Sequence, residues 1–312
     1  MSAPIAHLGV DDAARYTRLL DQLEAQLRAL PDKPEENARS TLHTLWWLAA
    51  GQPMSATAAM ENALPSLDGA ADARLSALLA QRLAGTPLAH MTQRQRFMGL
   101  EMLAGPEALI PRRETELLAG AATRLLMDLC TTVPTPLIID VCTGCANVAA
   151  ALAHAAPRAK VMASDLSPDA VALAGRNLAH LGLTDRVELR VGDLLAPFDE
   201  ASLWGRVDLL TCNPPYISAA RRATMDDEIA GHEPALAFDG GALGIRILQR
   251  LVREAPRFLR AGGWLAFEVG AGQGRAVRQR LQSGQDFDDI TEVLDAKGEV
   301  RALCARRAGP KS

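Results

Sequence analysis

The residues from about 137 to 267 alternate short apolar runs with helical stretches, and this alternation restricts the possible folds more than any other feature. Five runs are candidate strands: 137–139, 160–163, 187–190, 207–210 and 264–267. The stretches at 168–181 and 242–259 lie between them and have helical spacing. Short apolar strands that alternate with helices are typical of a mostly parallel sheet with helices on both faces. The pattern therefore predicts an α/β fold with a doubly wound sheet.

The first part of the chain instead has apolar residues at the three- and four-residue steps of helices. The clearest run comprises Tyr16, Leu19, Leu20, Leu23 and Leu27. Between residues 86 and 111 the pattern becomes irregular and favours a short hairpin. We expect three parts, which are a small helical domain that serves as a scaffold or a substrate grip, a hairpin linker and the sheet domain, at 1–85, 86–116 and 117–312.

Composition limits the functional classes. The 312 residues carry a net charge of −4, which argues against a protein that holds nucleic acid electrostatically, so direct nucleic-acid binding is not expected. The five cysteines are an odd number and indicate no disulfide framework, which favours a reducing cytoplasm. Residues 1–10 lack the pattern of a signal peptide, and charges interrupt every apolar stretch short of a membrane span of about 20 residues. We therefore expect a cytoplasmic protein with no membrane partner.

Polar residues stand at the ends of the first three candidate strands, where ligands bind in an open α/β sheet. Gly144, in the first strand-to-helix turn, lets the backbone approach a ligand closely. Asp165 ends the second strand at the usual position of an acidic residue that binds ribose hydroxyls. Asp193 follows the third strand and could accept a hydrogen bond from an adenine amino group. The order of these three favours a nucleotide-bearing cofactor over an ordinary turn. The expected cofactor-binding residues are Asp140, Thr143, Gly144, Asp165, Leu166, Asp193, Leu194 and Asn213.

Cys142 and Cys145 in the same turn form a C-x-x-C pattern that also suits zinc or redox chemistry. Zinc normally takes four ligands, and no second pair accompanies this one, so we expect no metal and interpret both cysteines as small buried loop residues. Cys142 and Ala146 also occupy the outer positions of a G-x-G-x-G pattern, of which Gly144 alone is glycine.

Asn213-Pro214-Pro215-Tyr216 follows the candidate strand at 207–211 and is the most specific motif in the chain. Two consecutive prolines fix φ and remove two backbone donors, so the carbonyl groups of Asn213 and Pro214 are held rigidly. A substrate NH2 group can donate to the Asn213 side-chain oxygen and to the Pro214 carbonyl, while Tyr216 offers a ring face to a planar group. The alternative is a turn that merely ends a strand.

These acceptors suit one reaction type. The lone pair of an amide nitrogen is delocalised into its carbonyl, so the nitrogen is planar and a weak nucleophile. Two fixed acceptors can draw it towards tetrahedral geometry as it attacks a methyl carbon, which stabilises the transition state with preorganised dipoles. We therefore predict an S-adenosylmethionine-dependent N-methyltransferase that releases S-adenosylhomocysteine. Its expected catalytic residues are Asn213, Pro214 and Tyr216, and Pro215 is expected to bind substrate with them.

With these motifs, the chain resembles the HemK-like protein-glutamine N5-methyltransferases, which modify release factors and a ribosomal protein. The resemblance runs from about residue 81 to residue 304. It implies a Rossmann-like class I methyltransferase sheet with a small N-terminal helical domain that grips a protein substrate. The matching segments outside the cofactor loop are Gly85-Thr86-Pro87-Leu88, Phe97 with Gly99, Leu109 to Glu116, Asn213 to Tyr216, His232 to Leu236, Gly240-Gly241, and Phe267 to Gly270 with Gln273.

The resemblance also implies that Arg112, Glu114, Thr115 and Glu116 join the domains and pack beside the cofactor, with Arg112 contacting the substrate. Alternatively these residues form a solvated charge cluster at the start of a helix, because acidic side chains suit the positive end of the helix dipole.

The chain departs from the family pattern in several places. The release-factor branch has glycine where this chain has Cys142 and Ala146, and proline where it has Arg113. The segment 140–144 is closer to the ribosomal-protein branch, whereas 114–116 is closer to the release-factor branch. Four alternatives follow: a protein-glutamine methyltransferase, an N-methyltransferase for a small-molecule amide or amine, a nucleic-acid base methyltransferase, and a silent module that binds the cofactor.

Overall fold

The computed structural model describes residues 8–28, 33–215, 233–234 and 246–309. The chain divides into two compact units. The described part of the first unit lies within Met1–Pro106 and Ile110–Arg112, and that of the second lies within Glu107–Leu109, Arg113–Met225 and Glu233–Ser312.

The first unit is mainly helical. Asn37 begins its second helix with a capping box, in which the Asn37 side chain accepts from the Ser40 backbone N–H while the Ser40 hydroxyl accepts from the Asn37 N–H. The core of the unit includes Leu23, Leu45 and Trp46, all fully buried. Its helices are α1 (Val10–Gln26), α2 (Ala38–Ala49), α3 (Ala56–Glu61), α4 (Gly69–Leu83) and α5 (Leu88–Thr92).

A two-stranded hairpin follows, where the irregular pattern predicted one. Strands β1 (Arg94–Phe97) and β2 (Leu100–Leu103) are antiparallel. Met98 and Gly99 between them both have positive φ, 49° and 80°, as a tight hairpin turn requires. The carboxylate of Glu101 in β2 accepts from the backbone N–H and the hydroxyl of Ser55 at 2.6 and 2.7 Å, and so ties the hairpin to the start of α3.

The second unit contains a seven-stranded sheet in the order β5-β4-β3-β6-β7-β9-β8. The pairs from β5 to β7 are parallel, and β9 pairs antiparallel with both β7 and β8. Each of the five candidate strands lies within one of its strands, which confirms the predicted doubly wound sheet. The antiparallel pair was not predicted. The strands are β3 (Leu137–Val141), β4 (Lys160–Asp165), β5 (Val187–Val191), β6 (Val207–Cys212), β7 (Leu259–Glu268), β8 (Phe287–Leu294) and β9 (Val300–Arg307).

Helices connect these strands. The predicted helix at 168–181 is confirmed, and the one at 242–259 is confirmed from residue 246 onwards, since 242–245 lie outside the described residues. The helices are α6 (Arg113–Cys130), α7 (Asn147–Ala155), α8 (Pro168–His180), α9 (Arg246–Phe258) and α10 (Gly274–Ser283). Within the described part of the chain, no helix is long and apolar enough to cross a membrane.

The strand order reverses at β3, and this reversal places the site. The chain moves outwards from β3 through β4 to β5, and then returns to the other side of β3 with β6. A crevice opens at such a point beyond the carboxyl ends of the strands. Asp208 of β6 helps to hold the register, because its buried carboxylate accepts from the Leu137 N–H at 2.8 Å and from Arg260.

We predict that Asp208→Ala lowers the free energy of unfolding by about 1–3 kcal/mol, because it removes the acceptor of the Leu137 N–H and the partner of Arg260. Urea unfolding of both proteins measures the difference. Asp185→Ala removes an exposed carboxylate from the same unit and serves as the control. Equal losses in the two variants would show that Asp208 does not hold the strands together.

Candidate active site

The turn between β3 and α7 is left-handed at alternate residues. Cys142, Gly144 and Ala146 have φ of 56°, 55° and 66°. Glycine adopts this conformation freely, whereas other residues lose roughly 1–2 kcal/mol in it. The chain therefore keeps the backbone of a glycine-rich loop at two positions that are not glycine. The departures at Cys142 and Ala146 change the side chains of the loop and leave its left-handed path in place.

Asp165, the last residue of β4, holds this turn. One of its carboxylate oxygens accepts from the Gly144 N–H at 2.8 Å, and the other accepts from the Ser167 N–H at 3.0 Å. Burial raises the pKa of Asp165, although these backbone donors act in the opposite direction. An ionised carboxylate has about four acceptor positions, so Asp165 can still accept from hydroxyl groups of a ligand.

Two exposed apolar side chains lie next to Asp165 at the carboxyl edge of the sheet. Leu166 follows Asp165 in the chain and is 50% exposed. Val191 of β5 pairs with Asp165 in the strand register and is 51% exposed. Large apolar side chains with this exposure at a ligand-binding edge offer a surface for a flat apolar group. Leu166 is among the residues predicted from the sequence, whereas Val191 is not, because the register that brings Val191 beside Asp165 is not visible in the sequence.

The turn after β5 contains two more of the predicted cofactor residues, Asp193 and Leu194. Gly192 allows this turn, since a Cβ atom there would collide with the ring of Pro197. Asp193 is exposed and forms an ion pair with Arg250 of α9. Leu194 is buried, and its carbonyl accepts from the Ser164 hydroxyl at 3.1 Å. Of these two residues, Asp193 is the one that a ligand can reach.

Asp140 joins the turn between β3 and α7 (residues 142–146, the cofactor turn) to β6, the strand that precedes the catalytic motif. One carboxylate oxygen accepts from the Thr143 hydroxyl and the other from the Thr211 hydroxyl, both at 2.6 Å. All three side chains are buried, with Asp140 only 1% exposed. Burial raises the pKa of Asp140 to about 6, although the two hydroxyl groups act in the opposite direction. Asp140 therefore bonds to two protein hydroxyls, and its predicted role as a cofactor-binding residue stays a prediction.

The catalytic motif begins directly after β6. The Asn213 side chain is half-buried, and its Nδ2 donates to the hydroxyl of Thr115 at 3.1 Å. Pro214 is buried and Pro215 half-buried. Tyr216 lies outside the described residues, so its predicted role stays a prediction. The structure thus gives Asn213 a partner, Thr115, which had been assigned only to the linker.

The linker segment divides between the two units. Arg112 is buried and belongs to the first unit, while α6 of the second unit begins at Arg113 with Glu114 and Glu116 in its first turn. Glu107, also in the second unit, forms an ion pair with Arg176 of α8 at 2.5 Å.

The two cysteines of the turn differ in burial, since Cys145 is buried as predicted and Cys142 is only half-buried. Burial raises the pKa of Cys145 to about 12, so its thiol keeps its proton at neutral pH, whereas metal ligands and redox nucleophiles are thiolates. The buried Asn177 side chain donates to the Cys145 carbonyl at 3.1 Å, which fits a structural position. Among the described residues, no group of three or more His, Cys, Asp or Glu side chains could hold a metal ion.

Comparison with solved structures identifies the fold. The human Mettl16 catalytic domain in complex with a MAT2A 3′UTR hairpin superposes with a TM-score of 0.53 at 16% identity, over 75% of this chain and 83% of that chain. The N-terminal domain of human METTL16 in complex with SAH gives a TM-score of 0.51 at 17% identity, over 72% and 82%. The family model "Methyltransferase small domain" matches residues 119–245. The fold and the site at the carboxyl edge of its sheet define a class I methyltransferase.

Similar sequences identify the family. The release factor glutamine methyltransferase of Moorella thermoacetica is 38% identical over 238 residues, which cover 76% of this chain and 81% of that protein. The enzyme of the same name from Cereibacter sphaeroides is 35% identical over 302 residues, which cover 97% and 94%. The chain belongs to the release factor glutamine methyltransferase family, which confirms the resemblance to the protein-glutamine methyltransferases. These relatives do not favour the small-molecule alternative.

We predict that the stability contribution of Asp140 depends on pH. The folded state keeps the Asp140 proton up to about pH 6, whereas the unfolded chain releases it near 3.8, so this contribution falls as pH rises between these values. The difference corresponds to about 3 kcal/mol. Asp140→Asn, which cannot ionise, should therefore gain stability relative to the wild type between about pH 4 and pH 7. Urea unfolding across this range measures the effect, and parallel pH profiles for the two proteins would contradict it.

Proposed function

We propose that this enzyme transfers a methyl group from S-adenosylmethionine to the side-chain amide nitrogen of a glutamine in a release factor. The family supports the reaction, and the names of the relatives support this substrate. The structural observation that carries the proposal is the Asn213 amide. It stands at the end of β6, next to the reversal of strand order, with its Nδ2 bonded to Thr115.

The residues at the carboxyl edge fit the proposed cofactor. Asp165 has the charge and the acceptor positions to bind ribose hydroxyls. Leu166 and Val191 provide an apolar surface for adenine, and the exposed carboxylate of Asp193 can accept from its amino group. Gly144 allows the backbone to approach the ligand. In this proposal Thr143 and Leu194 shape the pocket walls from buried positions, and Asp140 positions the turn.

Bound S-adenosylmethionine supplies an electrophilic methyl group on a sulfonium. The chain's own residues hold the amide that receives it. Asn213 Oδ1 and the Pro214 carbonyl each accept one hydrogen bond from the substrate NH2 group, which directs the nitrogen lone pair towards the methyl carbon. These acceptors interact more strongly as the nitrogen becomes cationic, so they stabilise the transition state more than the ground state. The proton then leaves the nitrogen, and the amide regains its resonance.

The substrate contacts belong to the remaining predicted residues. Tyr216 would offer its ring face to the glutamine amide, beside Pro215. Arg112 and the helical domain would contact the protein substrate, as the family resemblance implies. A protein substrate suits this assignment, because a single amide offers few features for recognition and the surrounding chain must supply the rest.

The cofactor assignment predicts that Asp165→Ala weakens binding of S-adenosylmethionine by about ten- to hundredfold, the range for losing a hydrogen bond to a charged group. Burial raises the pKa of Asp165. As the pH is lowered, the wild-type affinity should therefore begin to fall at a higher pH than it would with an exposed aspartate. Calorimetry measures both effects. Asp169→Ala removes an exposed carboxylate from the first turn of α8 and should bind normally. Unchanged affinity in Asp165→Ala would remove Asp165 from the site.

The proposed reaction predicts that the purified enzyme adds one methyl group to a glutamine of the release factor from the same organism. Asn213→Ala should lower the rate about a hundred- to thousandfold, because it removes a preorganised acceptor, and the variant should still bind the cofactor. Asn213→Asp should also turn over slowly, because its negative charge stabilises the bound sulfonium in the ground state and misaligns the attack of the amide nitrogen. Radiolabelled cofactor and mass spectrometry of the digested release factor measure both the rate and the modified residue.

Three substrate pools distinguish the alternatives in the same assay: the release factor, ribosomal proteins and a low-mass cell extract. A release factor whose target glutamine is changed to glutamate is the matched control and should receive no label. Label that enters only ribosomal proteins or low-mass compounds would overturn the proposed substrate. Near wild-type labelling by Asn213→Ala would overturn the proposed mechanism.

A further inference from the structure

The hydrogen bond between Asn213 and Thr115 joins two parts of the second unit that lie 98 residues apart in the sequence. Thr115 lies in the first turn of α6, and only 1% of its surface is exposed. Its hydroxyl oxygen is 3.1 Å from Asn213 Nδ2. The contact is therefore a defined bond from the catalytic motif to a helix that had no assigned part in the chemistry.

An asparagine amide needs such a partner to point one way. Its oxygen and nitrogen are nearly equal in size, so packing alone does not distinguish the two orientations related by a half-turn about the last side-chain bond. Hydrogen bonding distinguishes them once a substrate is bound, because its NH2 group only donates and therefore needs Oδ1. Nδ2 then points to the Thr115 hydroxyl, which can accept. With Nδ2 bonded to Thr115, Oδ1 occupies the other arm of the planar amide.

The backbone of this segment is fixed separately. Thr211, two residues before Asn213, donates to the buried carboxylate of Asp140, and Pro214 and Pro215 restrict the chain after it. The main freedom left at Asn213 is rotation of its side-chain amide. The Thr115 hydroxyl acts on that rotation.

We propose that Thr115 is a positioning residue, which accepts from Asn213 Nδ2 and so holds the amide in the orientation in which Oδ1 faces the substrate NH2 group. This inference rests on the proposed role of Asn213. In the flipped orientation Asn213 would present its own NH2 group to the substrate NH2, and two donors cannot bond. Each flipped molecule would lack one of the two acceptors that the reaction uses.

The test separates this role from simple packing. Thr115→Val keeps the shape of the side chain and removes the hydroxyl, whereas Thr115→Ser keeps the hydroxyl and removes the methyl group. We expect Thr115→Val to lower kcat for release-factor methylation about tenfold, the upper effect of one net hydrogen bond, with unchanged affinity for S-adenosylmethionine. Thr115→Ser should stay close to the wild-type kcat. Thr123→Val is the matched control, since it changes a residue of the same helix whose buried hydroxyl has no hydrogen-bond partner among the described residues.

A double variant shows whether Thr115 acts through Asn213. Thr115→Val added to Asn213→Ala should produce no further loss of kcat, because the group that Thr115 positions is already absent. A wild-type kcat in Thr115→Val, a Thr115→Ser variant as slow as Thr115→Val, or fully additive losses in the double variant would each overturn the inference. A fast Asn213→Ala variant would instead refute the proposed function itself, so the two failures are distinguishable.

Discussion

The rest of the site depends on the two hydrogen bonds that the buried carboxyl group of Asp140 accepts. It accepts from Thr143 in the cofactor turn and from Thr211 in the strand before the catalytic motif. A cofactor methyl group and a substrate nitrogen must meet with little error, since small displacements in a reacting pair cost large factors in rate. In the proposed site, the turn that contains Thr143 and the strand before Asn213 are both bonded to Asp140, so these two segments keep a fixed separation.

This arrangement lowers the stability of the folded protein. Burial raises the pKa of Asp140 to about 6, and Cys142 and Ala146 occupy left-handed backbone positions that favour glycine. Backbone strain and desolvation at a single turn are typical of a functional site, where the surrounding structure holds the strained conformation in place. Here those surroundings include Asp165, which bonds to the Gly144 N–H, and Asn177, which bonds to the Cys145 carbonyl. The turn thus keeps its path without two of its glycines.

The alternation of strands and helices predicted the parallel part of the sheet, because a strand buried between two helical layers must be short and apolar. The antiparallel strands β8 and β9 escaped prediction, because their residues are mixed in character and many of those in β8 are exposed. Asp165 could be selected from the sequence by its place at a strand end. Val191 could not, because only the register of β4 with β5 brings it beside Asp165.

The class of fold, the family and the motif that begins at Asn213 could all be recognised from the sequence, because strand ends and proline pairs are local features of the chain. The tertiary structure alone decided how those groups are held. It showed that Asp140 accepts from two hydroxyl groups, and that Thr115 bonds to the Asn213 amide. Both facts depend on contacts between residues far apart in the chain, and sequence spacing carries no information about which side chains such folding brings together.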